Sequence, residues 1–361
     1  MKKYLLVVQG EGRGHMTQAM TLYDLLIEQG NTVCAVILGS SGKRDTPEFF
    51  HKKIKAPIFN LVSPNFVSDK KNKSINIGKS VIHNLLKLKT FKSSLDKIDT
   101  IVKEHQPDVI INFFDLLMGL YYRFYKPTTK MVCIAHQYIY YHPDFEFPKG
   151  YFFDKLAIKF YTKLTSKGSS KNLALSFYKV YTHHDEVVVV PPLLRKEIFE
   201  LPTNPQDYFL VYLVNNGYYE DLIQWHKENS DVKIHCFTDS PEKLMELFPY
   251  SNSNLMLHAI NDKLFLEKMS ASIGLASTAG FESVCEAMYL GKPVLLVPIE
   301  GHFEQFCNSR DAAKAGAGIY DNSFNLSNLI NYTKDKVYDN SHFRNWVGTA
   351  KEKIYSEITN I

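Results

Sequence analysis

The chain has 361 residues, 45 % of them hydrophobic, with a formal net charge of +4. That length suits two cores better than one, and the apolar content lets each half bury its own. So mild a charge excludes a nucleic-acid binder built on a broad basic surface, and no run of apolar residues approaches the ~20 needed to span a bilayer.

In chain order, the run Tyr4–Val8 reads as a first strand, closed by glycines. The segment Met16–Gln29 has helical periodicity and stops at Gly30, and Thr32–Leu38 is a second strand. Fully apolar strands in such a βαβ opening point to a parallel sheet covered on both faces. A basic helical stretch, Ile82–Glu104, leads into strand Asp108–Phe113; Lys130–Ala135 and Glu186–Val190 are further strands. Residues 191–206 hold four prolines and read as a linker. The alternation then restarts with strand Tyr208–Val214, helix Tyr218–Glu228 and strand Lys233–Phe237. Strands Leu255–Ala259, Ala271–Leu275 and Pro293–Val297 follow, and a final helix lies near Phe343–Ile358.

The fold class expected is α/β, with two doubly wound Rossmann-like domains facing across a cleft. An N-terminal domain over 1–190, a linker over 191–206, a C-terminal domain over 207–335 and a helical segment over 336–361 are expected. The five cysteines have neither metal nor redox spacing and read as buried thiols of a reducing compartment. The N-terminus lacks a cleavage site, so a cytoplasmic protein, soluble or peripheral on the inner membrane face, is expected.

Ligands of open α/β sheets bind beyond the carboxyl ends of the strands, so the loops there carry the candidates. The first is Gly10-Glu11-Gly12-Arg13-Gly14-His15, directly before a helix. Gly12 and Gly14 permit close backbone approach to a ligand. The third glycine comes one residue early for a dinucleotide fingerprint, and the second strand ends in Leu38-Gly39-Ser40 where an acid is wanted. His15 stands where a general base would, or caps the helix. Asp115, after the strand ending at Phe113, is its candidate orienting partner, or the cap of the next helix. His136, after strand Lys130–Ala135, joins the acceptor side, with Tyr138, Tyr140 and Tyr141 beyond it.

The second is Ser277-Thr-Ala-Gly-Phe-Glu-Ser-Val-Cys-Glu286, continuing to Glu304-Gln305. Small residues open a helix near Phe281, whose free N–H groups, with the Thr278 and Ser283 hydroxyls, form a phosphate seat. A plain strand–helix–strand unit with polar caps has the same pattern. No Asp-x-Asp pair occurs in the chain, so a common metal–diphosphate anchor is missing.

These residues resemble the donor site of inverting GT-B glycosyltransferases that use UDP-sugars. The nearest patterns are the lipid-linked N-acetylglucosamine transferase of peptidoglycan synthesis and the small-molecule UDP-glycosyltransferases. The resemblance implies that Ala279 and Gly280 meet the diphosphate, Glu286 the ribose, Glu304 and Gln305 the donor sugar, and Ile260 the base. It implies a nucleotide-sugar co-substrate, no metal or other cofactor, and a small-molecule, glycan or lipid-linked acceptor. Glu282 and Thr278 depart from the family pattern. Retaining members carry two Glu eight positions apart; Thr278 fills the first position, which argues for inversion. A UDP-sugar 2-epimerase of the same fold, or a non-catalytic nucleotide-sugar binder, are the alternatives.

Basic charge gathers in the first half: nine Lys against two Asp from Lys70 to Lys103, and seven Lys against one Asp from Lys149 to Tyr181. Apolar residues interleave both stretches, so either they dock on an anionic membrane surface or they are ordinary amphipathic helices with solvated lysines.

Overall fold

A computed structural model describes the chain except residues 42–46, 65–86, 203, 214–215 and 336–337. The expected lysine-rich segment therefore lies outside the described residues up to 86.

The described chain divides into two compact units. One contains the chain up to Arg195 together with Trp346–Ile361, and the other runs from Lys196 to Asn345. In the first unit the elements are β1 (Lys3–Gln9), α1 (Arg13–Glu28), β2 (Thr32–Ser40), α2 (Glu48–Lys53), β3 (Ile58–Val62), α3 (Leu88–His105) and β4 (Val109–Phe113). They continue with α4 (Leu116–Tyr125), β5 (Lys130–Ala135), a 3₁₀ turn at His136–Tyr141, α5 (Phe152–Thr165), β6 (Lys171–Leu175) and β7 (Val188–Val190). All strands pair in parallel in the order β3-β2-β1-β4-β5-β6-β7. Tyr4–Val8 and Val36–Ile37 are wholly buried, which is why these runs carry no polar alternation.

The second unit begins with α6 (Glu197–Glu200), β8 (Phe209–Leu213), a 3₁₀ turn at Asn216–Tyr218, α7 (Tyr219–Glu228), β9 (Ile234–Thr238), α8 (Pro241–Leu247) and β10 (Leu255–Ala259). After these come α9 (Asp262–Ala271), β11 (Leu275–Ser277), α10 (Phe281–Tyr289), β12 (Val294–Leu296), α11 (Phe303–Lys314), β13 (Gly318–Tyr320), α12 (Leu326–Asp335) and α13 (Ser341–Gly348). Its sheet is also parallel, in the order β10-β9-β8-β11-β12-β13. The last helix, α14 (Ala350–Thr359), returns to the first unit. There Ile354 and Ile358 are buried, and Glu357 accepts from Lys171 Nζ at 2.8 Å.

The six-stranded sheet repeats the order of the first six positions of the seven-stranded one, with the crossover reversing direction beside the first strand of each. The reversal lies between β1 and β4 in the first unit and between β8 and β11 in the second. Loops beyond β1 and β4, and beyond β8 and β11, are therefore the places where such sheets open a crevice.

Three strands escape the sequence pattern: β3, β6 and β13. β3 and β13 lie at sheet edges and are mostly half-buried, and β6 opens on the polar pair Lys171-Asn172. The strand expected over Ala271–Leu275 sits further on. Ala271 closes α9, the Ser272 N–H bonds Met269 O, and the strand is Leu275–Ser277. Residues 191–206 are not a featureless linker, because α6 forms within them.

Candidate active site

In the first unit, the loop after β1 enters α1 at Gly12. That residue has extended dihedrals and makes no side-chain cap. His15 sits in the first turn. Its Nδ1 lies 3.3 Å from Gln18 Oε1, and its ring stacks on Phe114, with centroids 5.9 Å apart and planes 27° from parallel.

Phe114 is the residue that sequence reasoning missed. Its φ is +61°, a left-handed conformation that a bulky side chain adopts only when its surroundings impose it. Tyr138 and Tyr161 each meet its ring edge-on at 5.6 Å. The backbone turn throws the ring from the end of β4 toward His15 rather than into the sheet. Propensity holds no signal for it, since nothing in Phe-Phe-Asp predicts a positive φ.

Asp115 follows and is fully buried. Oδ1 accepts from Leu117 N at 2.8 Å, capping α4, and from Ser63 Oγ at 3.1 Å. Asn112 closes the turn from both sides, with its Oδ1 accepting from Asp115 N and its Nδ2 donating to Asp115 O. Oδ2 has no hydrogen-bond partner among the described residues and lies where a Cβ on Gly39 would sit, 1.8 Å away. Gly39 is thus required by the approach of a carboxylate. Burial pushes the Asp115 carboxyl up to about 6, against the pull of its two donors. The expected hydrogen bond from Asp115 to His15 is absent among the described residues. The acid caps a helix, and its link to His15 runs through its chain neighbour Phe114.

His136 is the acceptor-side candidate that follows β5. It is buried: Nδ1 donates to Leu175 O at 2.7 Å, the ring meets Phe177 at 5.1 Å, and burial lowers its pKa to about 4. A neutral ring tied to β6 belongs to the sheet.

In the second unit, β11 ends at Ser277, whose carbonyl accepts from Val297 N and so pins the loop to the strand end beyond β12. Ser277 Oγ is buried with no partner among the described residues. Thr278 is also buried. Ala279 adopts φ +26°, its N–H bonds Ser277 O, and its carbonyl accepts from Asn308 Nδ2 at 3.5 Å. Gly280 stands at the N-cap of α10 without a side-chain cap; Ser283 Oγ donates back to Gly280 O at 3.4 Å. A tight turn of small residues thus leads into the N-terminus of α10 with no side-chain cap at Gly280, the backbone geometry found where helices seat anions.

Glu286 lies further into α10 and is only 1 % exposed; Glu282 is buried as well. Both carboxylates, with Asp311 of α11, lie close enough to Cys285 to add to the burial that pushes its thiol well up. Glu286 is therefore packed at the helix pair rather than standing open. Beyond β12, His302 caps α11 by accepting from Gln305 N at 3.4 Å, and Gln305 Oε1 accepts from Ile299 N at 2.9 Å. That fold-back engages the carboxamide oxygen and leaves its NH₂ as the group to donate. Glu304 is half-buried in the first turn of α11. Tyr218, after β8, was not singled out from sequence. Its hydroxyl donates to Pro298 O at 3.3 Å and accepts from Glu300 N at 3.1 Å, so it ties the loop beyond β12 to the turn beyond β8. Ile260, half-buried, stands just past β10, before Asn261 caps α9 through Leu264 N.

The structure thus brings together Ser277, Thr278, Ala279, Gly280, Ser283, Tyr218 and Gln305 at one sheet edge, and His15, Phe114 and Asp115 at another. The family model for Glycosyl transferase family 1 matches residues 2–335. The chain belongs to that family of sugar transferases. Among solved structures it is similar to the glycotransferase of kitacinnamycin, with 13 % identity, 99 % of each chain covered and a TM-score of 0.66. It is similar to Acinetobacter baumannii MurG at 15 % identity over the whole of both chains, with a TM-score of 0.59. A third is the S. aureus MnaA–UDP co-structure, at 12 % identity, 100 % and 96 % coverage and a TM-score of 0.61. These likenesses carry the fold, which is GT-B. No curated protein sequence matches the chain.

Proposed function

We propose that this transferase moves a sugar from a UDP donor to an acceptor hydroxyl with inversion at the anomeric carbon. The observation that carries it is the turn Ser277–Gly280, where Ala279 takes a positive φ and Gly280 begins α10 with no side-chain cap, a small-residue helix start of the kind that seats a diphosphate. Thr278 and Ser283 add hydroxyls. Ile260 meets the base, Glu286 the ribose once the helix pair admits it, and Glu304 with the Gln305 NH₂ the donor sugar. Uridine is favoured by the resemblance of the motif and by the UDP in the MnaA co-structure.

On the acceptor side, His15 draws the proton from the attacking hydroxyl as the bond to the anomeric carbon forms. The diphosphate departs against the α10 N–H groups. Gly12 and Gly14 let the acceptor approach the backbone, and Asp115 is a positioning residue that fixes the turn holding Phe114 under the His15 ring. Transfer needs no metal in this reading, which rests on the missing Asp-x-Asp pair, and the acceptor hydroxyl belongs to a small molecule, a glycan or a lipid-linked sugar.

Thermal shift with UDP, GDP, TDP and their sugars tests the donor: stabilisation by uridine nucleotides, unchanged in EDTA, is expected, and silence with every nucleotide overturns the reading. For His15→Ala, donor binding is expected to persist while turnover falls about a hundredfold or more, the usual worth of a general base. Retention of configuration in the product, or isomerisation of the donor without an acceptor, would replace the mechanism.

A further inference from the structure

Helix α5 is amphipathic in the wrong sense for a water-soluble surface. Phe152, Phe153, Leu156 and Phe160 are 70 %, 81 %, 58 % and 62 % exposed, while Thr162 and Thr165 are buried. At 100° per residue the four apolar side chains fall within an arc of about 100°, a continuous outward stripe. The inward face is firmly held. Thr165 O accepts from Asn112 Nδ2 at 2.9 Å, Tyr138 OH lies 3.2 Å from Thr165 Oγ1, and a Cβ on Gly119 of α4 would come within 1.7 Å of Leu164 O. The helix is thus locked with its aromatic side outward, at the cost of several exposed rings.

Lysines run along one flank of the stripe, at Lys155 and Lys159, and into its edge at Lys163. Lys155, Lys159 and Lys163 recur every fourth residue, Lys149 and Lys167 stand exposed before and after the helix, and Asp154 is the only acid from Lys149 to Tyr181. Charge selects the occupant. A second copy docked on the same face would set this lysine row against its own image. An anionic lipid surface satisfies both elements: rings enter the headgroup–acyl boundary while lysine heads meet phosphates.

We propose that the outward face of α5 docks the protein on an anionic bilayer, with Phe152, Phe153, Leu156 and Phe160 inserted and Lys155 and Lys163 on lipid headgroups. This goes beyond the donor reading, and its readout needs no sugar transfer.

The full chain is sedimented with phosphatidylcholine vesicles with and without phosphatidylglycerol. Binding to the anionic vesicles alone, weakening as salt rises, is expected. Phe152→Ser combined with Phe153→Ser should lower the bound fraction at least tenfold, and Lys155→Gln and Lys163→Gln about fivefold each. All four side chains are on the surface, so circular dichroism and melting should not change. Absence of binding to anionic vesicles overturns the proposal, as does binding that survives the double serine variant. Sedimentation equilibrium showing a dimer that the same variant dissolves would also overturn it, assigning the face to a second copy.

Discussion

At the residue scale, Asp115 carries a pH-dependent cost that can be measured. Its carboxyl is raised from an ordinary value of about 4 to about 6, so the folded chain holds this proton more tightly than the unfolded one. Between those values the unfolded state releases the proton first. Stability therefore falls as pH rises from about 4 to about 6, by about 3 kcal/mol in total, and is level above that. Chemical denaturation of Asp115→Asn across this window should show a flatter profile than the parent; an identical profile would mean the carboxyl titrates normally. Tyr218→Phe makes a second test. It removes one hydroxyl bonded to Pro298 O and Glu300 N, a loss of about 1 kcal/mol. Donor KM is expected to rise several-fold, with acceptor KM unchanged. Of the site, His15, Thr278, Gly280 and Gln305 were legible because glycine-rich turns before helices are local signals. Phe114 and Tyr218 were not, since a positive φ on phenylalanine and a hydroxyl bridging two distant loops come from tertiary packing. That His136 and Glu286 are buried is likewise set by tertiary packing, and their local sequence carries no sign of it.

At the element scale, the contact of α4 with α5 depends on Gly119. A methyl group there would meet Leu164 O at 1.7 Å, so Gly119→Ala must push the helices apart. Overpacking of this kind costs typically 1–3 kcal/mol, and the urea midpoint should drop accordingly. The same displacement would shift Tyr161, whose ring abuts Phe114 and, through it, His15; turnover should fall more than stability alone explains. Long apolar strands such as β1, β2 and β5 declared themselves through their composition, because both their faces are covered. The Gly318–Tyr320 strand is too short to show a period, and Lys171–Leu175 opens on two polar residues. The apolar spacing of α5 was plain, yet nothing local revealed that its aromatic side faces outward.

At the scale of the whole molecule, the restart of the βα alternation near residue 208 was enough to read two successive Rossmann-like units. What the sequence did not show is that the first unit is built from two separate pieces of chain. Trp346, with its Nε1 donating to Ser176 O at 3.0 Å, and the buried Ile354 and Ile358 complete it. A periodic helix names its apolar face but not the sheet that receives it. Truncation after Asn345 should therefore speed amide exchange in α1, β6 and β7 while leaving β8–β13 protected.

This discontinuity sets an order of events at the ribosome. The second unit is contiguous and can close as soon as Asn345 has emerged. The first, though begun earlier, stays unfinished until α14 leaves the exit tunnel. At ~5–20 residues per second, translation from the end of the first segment to the last residue takes roughly ten to thirty seconds. For that interval the surface awaiting Ile354 and Ile358 is bare, a window in which a nascent-chain chaperone has something to hold.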